Sequence, residues 1–262
     1  MPRVEIDTRT PQSARIWNYW LGGKDNYEAD RAAGDDVLAQ IPDIAVGAKA
    51  ERAFLVRVVR HLVREAGIRQ FLDIGTGLPT MNNTHQIAQD IAPESRVVYV
   101  DNDPIVMAHA RALLTGSPEG ATAYLEADLR EPDAIFEGAA RTLDFGQPVA
   151  LMLLGVINHI VDSAEARRSV ARLVAGLPPG SHLALSHSTA ELHGEPMVQV
   201  MREITARGGT PIRARDRGEV TRFFDGLELL EPGVVSCSRW RPEPGEEDAP
   251  EVYIFGGLGR IG

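Results

Sequence analysis

A short apolar segment that ends in an acid and a glycine turn, residues 69–80, constrains the fold of this chain more than any other feature. Residues 71–74 have the length expected for a strand buried in a parallel sheet. Gly75 and Gly77 follow, and glycine lets a ligand approach the backbone closely. Pro79 then favours a helix whose N-terminus would point at the glycine turn. The segment predicts a nucleotide site, although an ordinary tight turn would use the same glycines.

Two classes of ligand use such a turn, and the neighbouring residues separate them. A dinucleotide fingerprint has a third glycine where this chain has Thr80, and it places a pyrophosphate at the helix N-terminus. Asp73 lies two residues before the first glycine and would repel a pyrophosphate. The same carboxylate could pair with the amino group of an amino-acid ligand.

Three further segments predict strands that end in polar residues or glycine. Residues 96–101 are rich in β-branched side chains and end at Asp101, where a carboxylate can accept hydrogen bonds from ribose hydroxyls. The segment 121–126 leads to Asp128, and the apolar segment 148–155 closes on Gly155. Open α/β sheets bind ligands at the carboxyl ends of their strands, so these residues predict one site. The alternation of strands and helices predicts a doubly wound parallel sheet.

As a set, these motifs resemble those of class I S-adenosylmethionine-dependent methyltransferases over residues 66–262. The resemblance implies a Rossmann-like, seven-stranded α/β sheet whose last strand is antiparallel and comes from a hairpin of 234–240 and 251–255. It also implies that S-adenosyl-L-methionine is the cofactor. The cofactor-binding residues implied are Asp73, Gly75, Thr76 and Gly77 for the methionine part, Asp101 and Asn102 for the ribose, Asp128 and Leu129 for the adenine, and Gly155 beside the sulfonium. Pro79 stands where many members have a third glycine, which removes one backbone donor.

The N-terminal segment of the chain predicts a helical cap on the sheet domain. Residues 13–31 resemble a bacterial family of such methyltransferases long described as a domain of unknown function. We predict an N-terminal helical cap over residues 1–47 and a methyltransferase domain over 48–262. Aromatic and polar residues are dense here, and we expect a lid over the methyl group with Tyr19, Asn26 and Tyr27 as contacts. The rings could instead only staple the cap to the sheet by burial.

Residues 48–66 form an amphipathic pattern with apolar side chains at helical spacing. This pattern predicts a helix that packs on the sheet before the first strand. Arg52 on this helix is either a surface charge or a contact of the cofactor carboxylate.

Methyl transfer is an in-line displacement, so it depends mainly on positioning and needs a base only for protonated nucleophiles. His159, shortly after Gly155, is the candidate base, with Tyr19 and Tyr27 as further catalytic candidates. The Asn/Asp-Pro-Pro-aromatic motif of exocyclic-amine methyltransferases is absent after the fourth strand, which argues against methylation of nucleic-acid bases. We predict a methyltransferase for a small molecule. The alternative is a non-catalytic S-adenosylmethionine-binding regulatory protein, and a dehydrogenase is a distant third.

The charge and the composition of the chain limit the kinds of partner that it is expected to bind. The formal net charge of −10 disfavours nucleic acid, although Arg213, Arg215 and Arg217 could form a local basic patch. The single cysteine, Cys237, excludes an internal disulfide and a cysteine-built metal site, and no metal is predicted. The longest apolar run is too short for a membrane span, and the N-terminus lacks the apolar core of a signal peptide, so we expect a cytoplasmic protein. The sequence does not specify an oligomeric state.

Overall fold

The structure is a computed structural model that describes residues 7–79, 81–103, 106, 116–206 and 209–262. The strands are β1 (Gln70–Ile74), β2 (Arg96–Asp101), β3 (Ala121–Glu126), β4 (Ala150–Leu154), β5 (His182–Ser188), β6 (Glu228–Leu229), β7 (Val235–Ser236) and β8 (Ile254–Arg260). The α-helices are α1 (Ser13–Trp20), α2 (Glu28–Gln40), α3 (Ile44–Arg64), α4 (Thr84–Ile91), α5 (Pro132–Ala139), α6 (Ser163–Ala175), α7 (Glu195–Ala206) and α8 (Arg217–Thr221).

The described strands form one mixed sheet with the order β3-β2-β1-β4-β5-β8-β6, and β7 pairs with β8. Strands β1 to β5 are parallel, whereas β8 runs antiparallel to β5 from His182↔Arg260 to Ser188↔Ile254. The predicted doubly wound sheet with an antiparallel last strand is therefore confirmed. The two-residue strand β7 brings the number of described strands to eight.

Two apolar layers cover the faces of the sheet, because successive side chains of a strand point to opposite faces. On β1, Phe71 belongs to the layer formed with α3, whereas Leu72 belongs to the layer formed with α5 and α6. The same alternation separates Met152 from Leu151 on β4. All five residues of β1 are buried, as a central parallel strand requires.

Helix α3 confirms the amphipathic pattern, since Phe54, Val58 and Leu62 are fully buried on one of its faces. It begins at Ile44, so the predicted boundary between residues 47 and 48 falls inside a continuous helix. Gly47 lets this first turn pack closely, because a Cβ atom there would lie 2.0 Å from the ring of Tyr253. The first turn of α3 packs against the segment that leads into β8.

The N-terminal helices α1 and α2 are held together by a buried ion pair. The Arg15 Nε atom lies 3.0 Å from the Asp30 Oδ2 atom, and the two side chains are 3% and 0% exposed. Asp30 also accepts backbone N–H groups of Gln12, at 2.9 Å, and Tyr27, at 2.8 Å. A buried carboxylate with three donors is well satisfied, so it fixes the angle between the two helices.

The C-terminal hairpin is present, with different bounds from those predicted. Pairing of Val235 with Gly256 and Ser236 with Phe255 joins β7 to β8. Strand β7 is short because the next residues, Cys237–Arg239, form a 3-10 helix. Strand β8 extends to Arg260 because it pairs along the whole of β5. The alternation of strands and helices also predicts a crossover helix between β2 and β3, at residues 104–114, which lie outside the described residues except for Val106, a helical and buried residue.

Candidate functional site

The turn after β1 uses its two glycines for different purposes. Gly75 and Gly77 have φ angles of +76° and +62°, in the left-handed region that favours glycine. A Cβ atom on Gly75 would lie 2.4 Å from the Val156 side chain, so this glycine lets the loops after β1 and β4 meet. A Cβ atom on Gly77 would have no atom within 4 Å, so the chain beside Gly77 is open. Gly77 therefore leaves room for a bound molecule.

Asp73 is a buried acid in front of this turn, with 6% of its surface exposed. The Thr84 hydroxyl donates to its Oδ2 atom at 2.6 Å, while no donor among the described residues reaches Oδ1. Burial raises the pKa of Asp73 to about 6, and Arg52 opposes this rise only in part. A carboxylate that lacks a full set of partners stabilises a cation placed beside it.

Asp101 is the last residue of β2, and its carboxylate connects the loop after β1 with the loop after β2. Its Oδ2 atom accepts the Gly77 N–H at 3.1 Å, and its Oδ1 atom accepts the Asp103 N–H at 2.9 Å. Burial raises the pKa of Asp101 above its usual range. Each carboxylate oxygen has a second lone-pair site, so Asp101 can also accept from a ligand.

A series of polar contacts follows the same edge of the sheet from the end of β2 to the residues after β3. The Asn102 amide donates to Asp128 at 3.4 Å, and Asp128 pairs with Arg130 at 3.2 Å. Arg130 also pairs with Glu165 at 2.9 Å, and Leu129 beside it is buried. The residues predicted to bind the ribose and the adenine are thus neighbours on one edge of the sheet. Together they offer a ligand both apolar and polar contacts.

Gly155, at the end of β4, opens onto a buried network that the sequence analysis missed. Its φ angle is +68°, and its N–H donates to the Ser186 hydroxyl at 2.9 Å. The Ser186 hydroxyl in turn donates to the Glu51 Oε1 atom. Glu51 is 7% exposed, and burial raises its pKa to about 7. Its signal in the sequence is an acid at helical spacing between the apolar residues Ala48 and Leu55 of α3.

His159 lies in the short 3-10 helix after β4 and is half-buried. Its Nδ1 atom lies 3.1 Å from the Pro211 carbonyl oxygen, which can only accept, so Nδ1 carries the proton. Burial lowers the pKa of His159, and the ring is therefore neutral at pH 7 with Nε2 as an acceptor. The preceding Asn158 does not share this role, because its amide is bound to Ser188 on β5.

These groups share one cavity of about 850 Å³ between the carboxyl edge of the sheet and the N-terminal helices. The predicted residues in its wall are Asp73, Gly75, Thr76, Gly77, Asp101, Asn102, Asp128, Leu129, Gly155 and His159. Arg52 is also in the wall, where its guanidinium donates to the Met81 carbonyl at 2.8 Å. Helices α1, α2 and α7 supply the opposite side of the cavity.

Three predicted lid residues lie outside this wall. The Tyr19 hydroxyl donates to Asp35 at 2.7 Å, and Asn26 donates to Asn18 at 3.0 Å. The Tyr27 ring lies 5.2 Å from the Arg15 guanidinium carbon. These contacts direct the three side chains into the joint between α1 and α2. The aromatic side chains that α1 gives to the cavity are Trp17 and Trp20.

The arginines near residue 215 do not form a common basic surface. Arg215 is 2% exposed and donates to the Ile160 carbonyl at 2.7 Å. Its second guanidinium nitrogen lies 2.7 Å from the His187 Nε2 atom. Burial lowers the pKa of His187 to about 3, so this histidine is a neutral acceptor. Arg215 is a structural residue that joins the loop after β4 to β5.

The strand order and the site at the carboxyl edge define a Rossmann-like methyltransferase fold. Human N-acetylserotonin methyltransferase, solved with S-adenosylmethionine, shares this fold at 12% identity and a TM-score of 0.51, over 95% of this chain and 67% of that chain. The chain belongs to the S-adenosyl methyltransferase family, whose model matches residues 1–262. It is an S-adenosylmethionine-dependent methyltransferase, and S-adenosylmethionine is its cofactor.

Two solved structures are similar over the whole chain. A DUF574 family protein from Streptomyces avermitilis is 46% identical, with a TM-score of 0.94, over 98% of this chain and 100% of that chain. A candidate methyltransferase from Thermobifida fusca is 39% identical, with a TM-score of 0.89, over 99% and 98% of the two chains. No protein with a curated description matches the sequence.

Proposed function

We propose that this protein methylates a small molecule enclosed between the sheet edge and the N-terminal helices. The observation that carries the proposal is one continuous cavity, of about 850 Å³, whose wall includes Asp128 from the sheet edge as well as Trp20 and Met197 from the helices. Small-molecule sites have volumes of about 300–1,000 Å³ and mostly apolar walls. The membership of the chain in a methyltransferase family supplies the reaction.

We further propose how the described residues hold the cofactor. Asp73 would pair with the amino group, because its Oδ1 atom lacks a donor among the described residues and a cation would offset its burial. Asp101 would accept the ribose hydroxyls, and Asp128 with Leu129 would contact the adenine. These carboxylate acceptors therefore fit the amino group and the hydroxyls of S-adenosylmethionine. The bound cofactor supplies an electrophilic methyl group, and the protein positions the acceptor for an in-line displacement.

The charge of the protein also favours a small acceptor over a nucleic acid. A net charge of −10 repels a phosphate backbone, and Arg215 of the possible basic patch is buried. No helix in the described part of the chain is long and apolar enough to cross a membrane. No observation favours the regulatory alternative over catalysis.

Calorimetry and mass spectrometry test the proposal together. We expect heat of binding from S-adenosylmethionine and S-adenosylhomocysteine and none from NAD, because Asp73 would repel a pyrophosphate. Native mass spectrometry of the freshly purified protein should detect a second small molecule bound beside the cofactor. Binding of NAD in place of S-adenosylmethionine, or a second ligand that is a polynucleotide, would contradict the proposal.

A further inference from the structure

Glu51 lies where the cavity meets the ends of β4 and β5. A Cβ atom built on Gly155 would come within 3.3 Å of Glu51 Oε1 and 3.7 Å of Oε2, so the carboxyl group lies directly beside the end of β4. Ser186 of β5 holds Oε1, and no donor among the described residues reaches Oε2. The strand order places Asp128, after β3, four strand spacings from β5, or about 19 Å at 4.8 Å per spacing. Glu51 therefore belongs to the side of the cavity away from the proposed adenine site.

No described basic side chain neutralises Glu51 directly. Arg52, Arg130 and His159 are the basic residues in the described wall of the cavity. Arg52 donates to Met81 and Asn83, and Arg130 is paired with Asp128 and Glu165. His159 is bound to the Pro211 carbonyl, and burial lowers its pKa. Arg52 lowers the pKa of Glu51 through its charge, yet no described basic side chain forms an ion pair with the Glu51 carboxylate, which therefore remains able to pair with a cation.

The cavity beyond Glu51 is mostly apolar and aromatic, and Asp36, Gln40 and Glu203 are the polar wall residues that α2 and α7 add to it. We call this part the acceptor end, and it is formed by Trp17, Trp20, Val37, Leu55, Met197, Val200, Met201, Ile212 and Tyr253. The Trp17 and Trp20 rings meet edge to face with centroids 5.8 Å apart. Aromatic faces attract cations, and a carboxylate in a low-dielectric site attracts them more strongly. The acceptor end thus suits a molecule with an apolar body and one positive charge.

We propose that the methyl acceptor is an apolar amine that binds as its ammonium form, with Glu51 as its ion-pair partner and general base. This inference rests on the proposed function, since it concerns the second molecule in the same cavity. An ammonium has no lone pair and cannot attack a methyl group, so it must first lose a proton. The free Oε2 atom of Glu51 is the acceptor for that proton.

The proposed step balances in atoms and charge. Glu51 takes one proton from the ammonium and becomes a neutral carboxylic acid. The lone pair of the neutral amine then forms the new N–C bond to the methyl carbon, while the electron pair of the S–C bond returns to sulfur. The product is a methylammonium ion with one positive charge. Glu51 finally releases its proton to solvent, which restores the carboxylate.

Three probes of similar size separate this assignment from other acceptor classes. The probes are 2-phenylethylamine, 2-phenylethanol and 3-phenylpropanoate, which share a phenyl ring and differ in charge. Their affinities would be measured by calorimetry on the full-length protein saturated with S-adenosylhomocysteine. We expect the amine to bind about ten- to hundred-fold more tightly than the alcohol, because a charge-assisted hydrogen bond contributes that much, and the acid to bind most weakly.

Variants distinguish a base from a structural residue. Glu51→Gln keeps the shape of the side chain and should abolish the preference for the amine while leaving the alcohol affinity unchanged. Ser186→Ala removes the hydrogen bond to Oε1 but keeps the carboxylate, so it should retain the preference. Glu65→Gln, an exposed position just after α3, is the matched control and should change neither affinity.

The outcomes separate the two proposals. Equal affinities for the three probes, including the absence of binding by all of them, would overturn the assignment of Glu51 and leave the proposed function intact. The same holds if Ser186→Ala removes the preference as fully as Glu51→Gln, since Glu51 would then act only through its packing. Failure of the unaltered protein to bind S-adenosylhomocysteine would instead contradict the proposed function.

Discussion

Two buried carboxyl groups, Asp73 and Glu51, dominate the electrostatics of the cavity. Burial raises the pKa of both, to about 6 and about 7, because a charged carboxylate loses hydration that one hydroxyl donor does not replace. Such groups reduce stability at neutral pH unless a ligand compensates them. Proteins retain them at functional sites, where the unmet interaction is used for binding or proton transfer.

A stability measurement tests the state of Glu51 without any ligand. Its folded pKa of about 7 lies above the ordinary value of 4.5, so the stability that the neutral carboxyl contributes is present below about pH 4.5 and lost as the pH rises to about 7. Below about pH 4.5, Glu51→Gln should therefore unfold at the same temperature as the unaltered protein. Above neutrality it should unfold at a temperature several degrees higher, from a difference on the order of 3 kcal/mol.

Thermal unfolding followed by circular dichroism over this range would measure the effect, with Glu65→Gln as the control. The groups around Glu51 are Arg52 on the same helix, Ser186, Cys237 and Tyr253. A difference between the two proteins that does not change with pH would show that packing, and not ionisation, causes it.

Asp101 gives a second prediction at this scale, on cofactor affinity. Asp101→Ala should weaken binding of S-adenosylmethionine about ten- to hundred-fold, because hydrogen bonds to charged groups contribute about 1.5–3 kcal/mol. Asp101→Asn should have a smaller effect, since it keeps one acceptor. Calorimetry compares both with Asp90→Ala, an exposed position on α4. Unchanged affinity in a folded Asp101→Ala protein would mean that Asp101 does not hold the ribose.

At the scale of elements, α1 and α2 act as one cover whose joint is the Arg15–Asp30 pair. Tyr27 and Asn26 also lie at this joint and outside the cavity wall, whereas Asn18, which accepts from Asn26, belongs to the wall. We therefore still propose a lid over the cavity, but we assign its ligand contacts to other residues. We propose Trp17 and Trp20, which line the cavity, as the rings that contact a ligand in place of Tyr19 and Tyr27.

Breaking this joint should loosen the cover selectively. Asp30→Ala would leave the Arg15 guanidinium buried without its counter-charge, which costs about 3–5 kcal/mol in comparable sites. We expect faster amide hydrogen exchange in residues 13–40 and weaker cofactor binding, with little change in β1 and β4. Glu28→Ala, an exposed acid in the first turn of α2, is the control. Unchanged exchange in residues 13–40 would show that the pair does not hold the cover.

At the scale of the whole molecule, the cavity is built by parts of the chain that are far apart in sequence. Helices α1, α2 and α7 form one side, and the ends of β1, β2 and β4 form the other. A ligand that fills the space contacts both sides at once. Binding is therefore expected to order the N-terminal cover and α7 together with the loops of the sheet.

Hydrogen exchange with and without S-adenosylhomocysteine measures this coupling. Protection should increase in α1, α2 and α7 as well as in the loop after β1, because all of them line the cavity. Helices α5 and α8 give no residue to the described wall and serve as internal controls. Protection confined to the loops after β1 and β2 would indicate a cofactor site that is independent of the cover.

The sequence alone determined the sheet and the position of its ligand edge. Hydrophobic runs, glycine turns and strand-terminal acids are local signals, and each depends on only a few neighbouring residues. They therefore predicted the alternating strands and helices, and resemblance to a family added the antiparallel last strand. Asp73, Asp101, Asp128 and Gly155 all lie in one cavity wall, as their positions after successive strands indicated.

Only the tertiary structure decided which side chains from outside the sheet meet that edge. Glu51 carries no motif, and its hydrogen-bond partner Ser186 is 135 positions away in the chain. Trp17 and Tyr19 point in nearly opposite directions because they are two residues apart in a helix, and the Arg15–Asp30 pair with α2 holds α1 where Trp17 faces the cavity. Contacts of this kind arise from packing between distant segments, and the sequence around each residue holds no record of its partner.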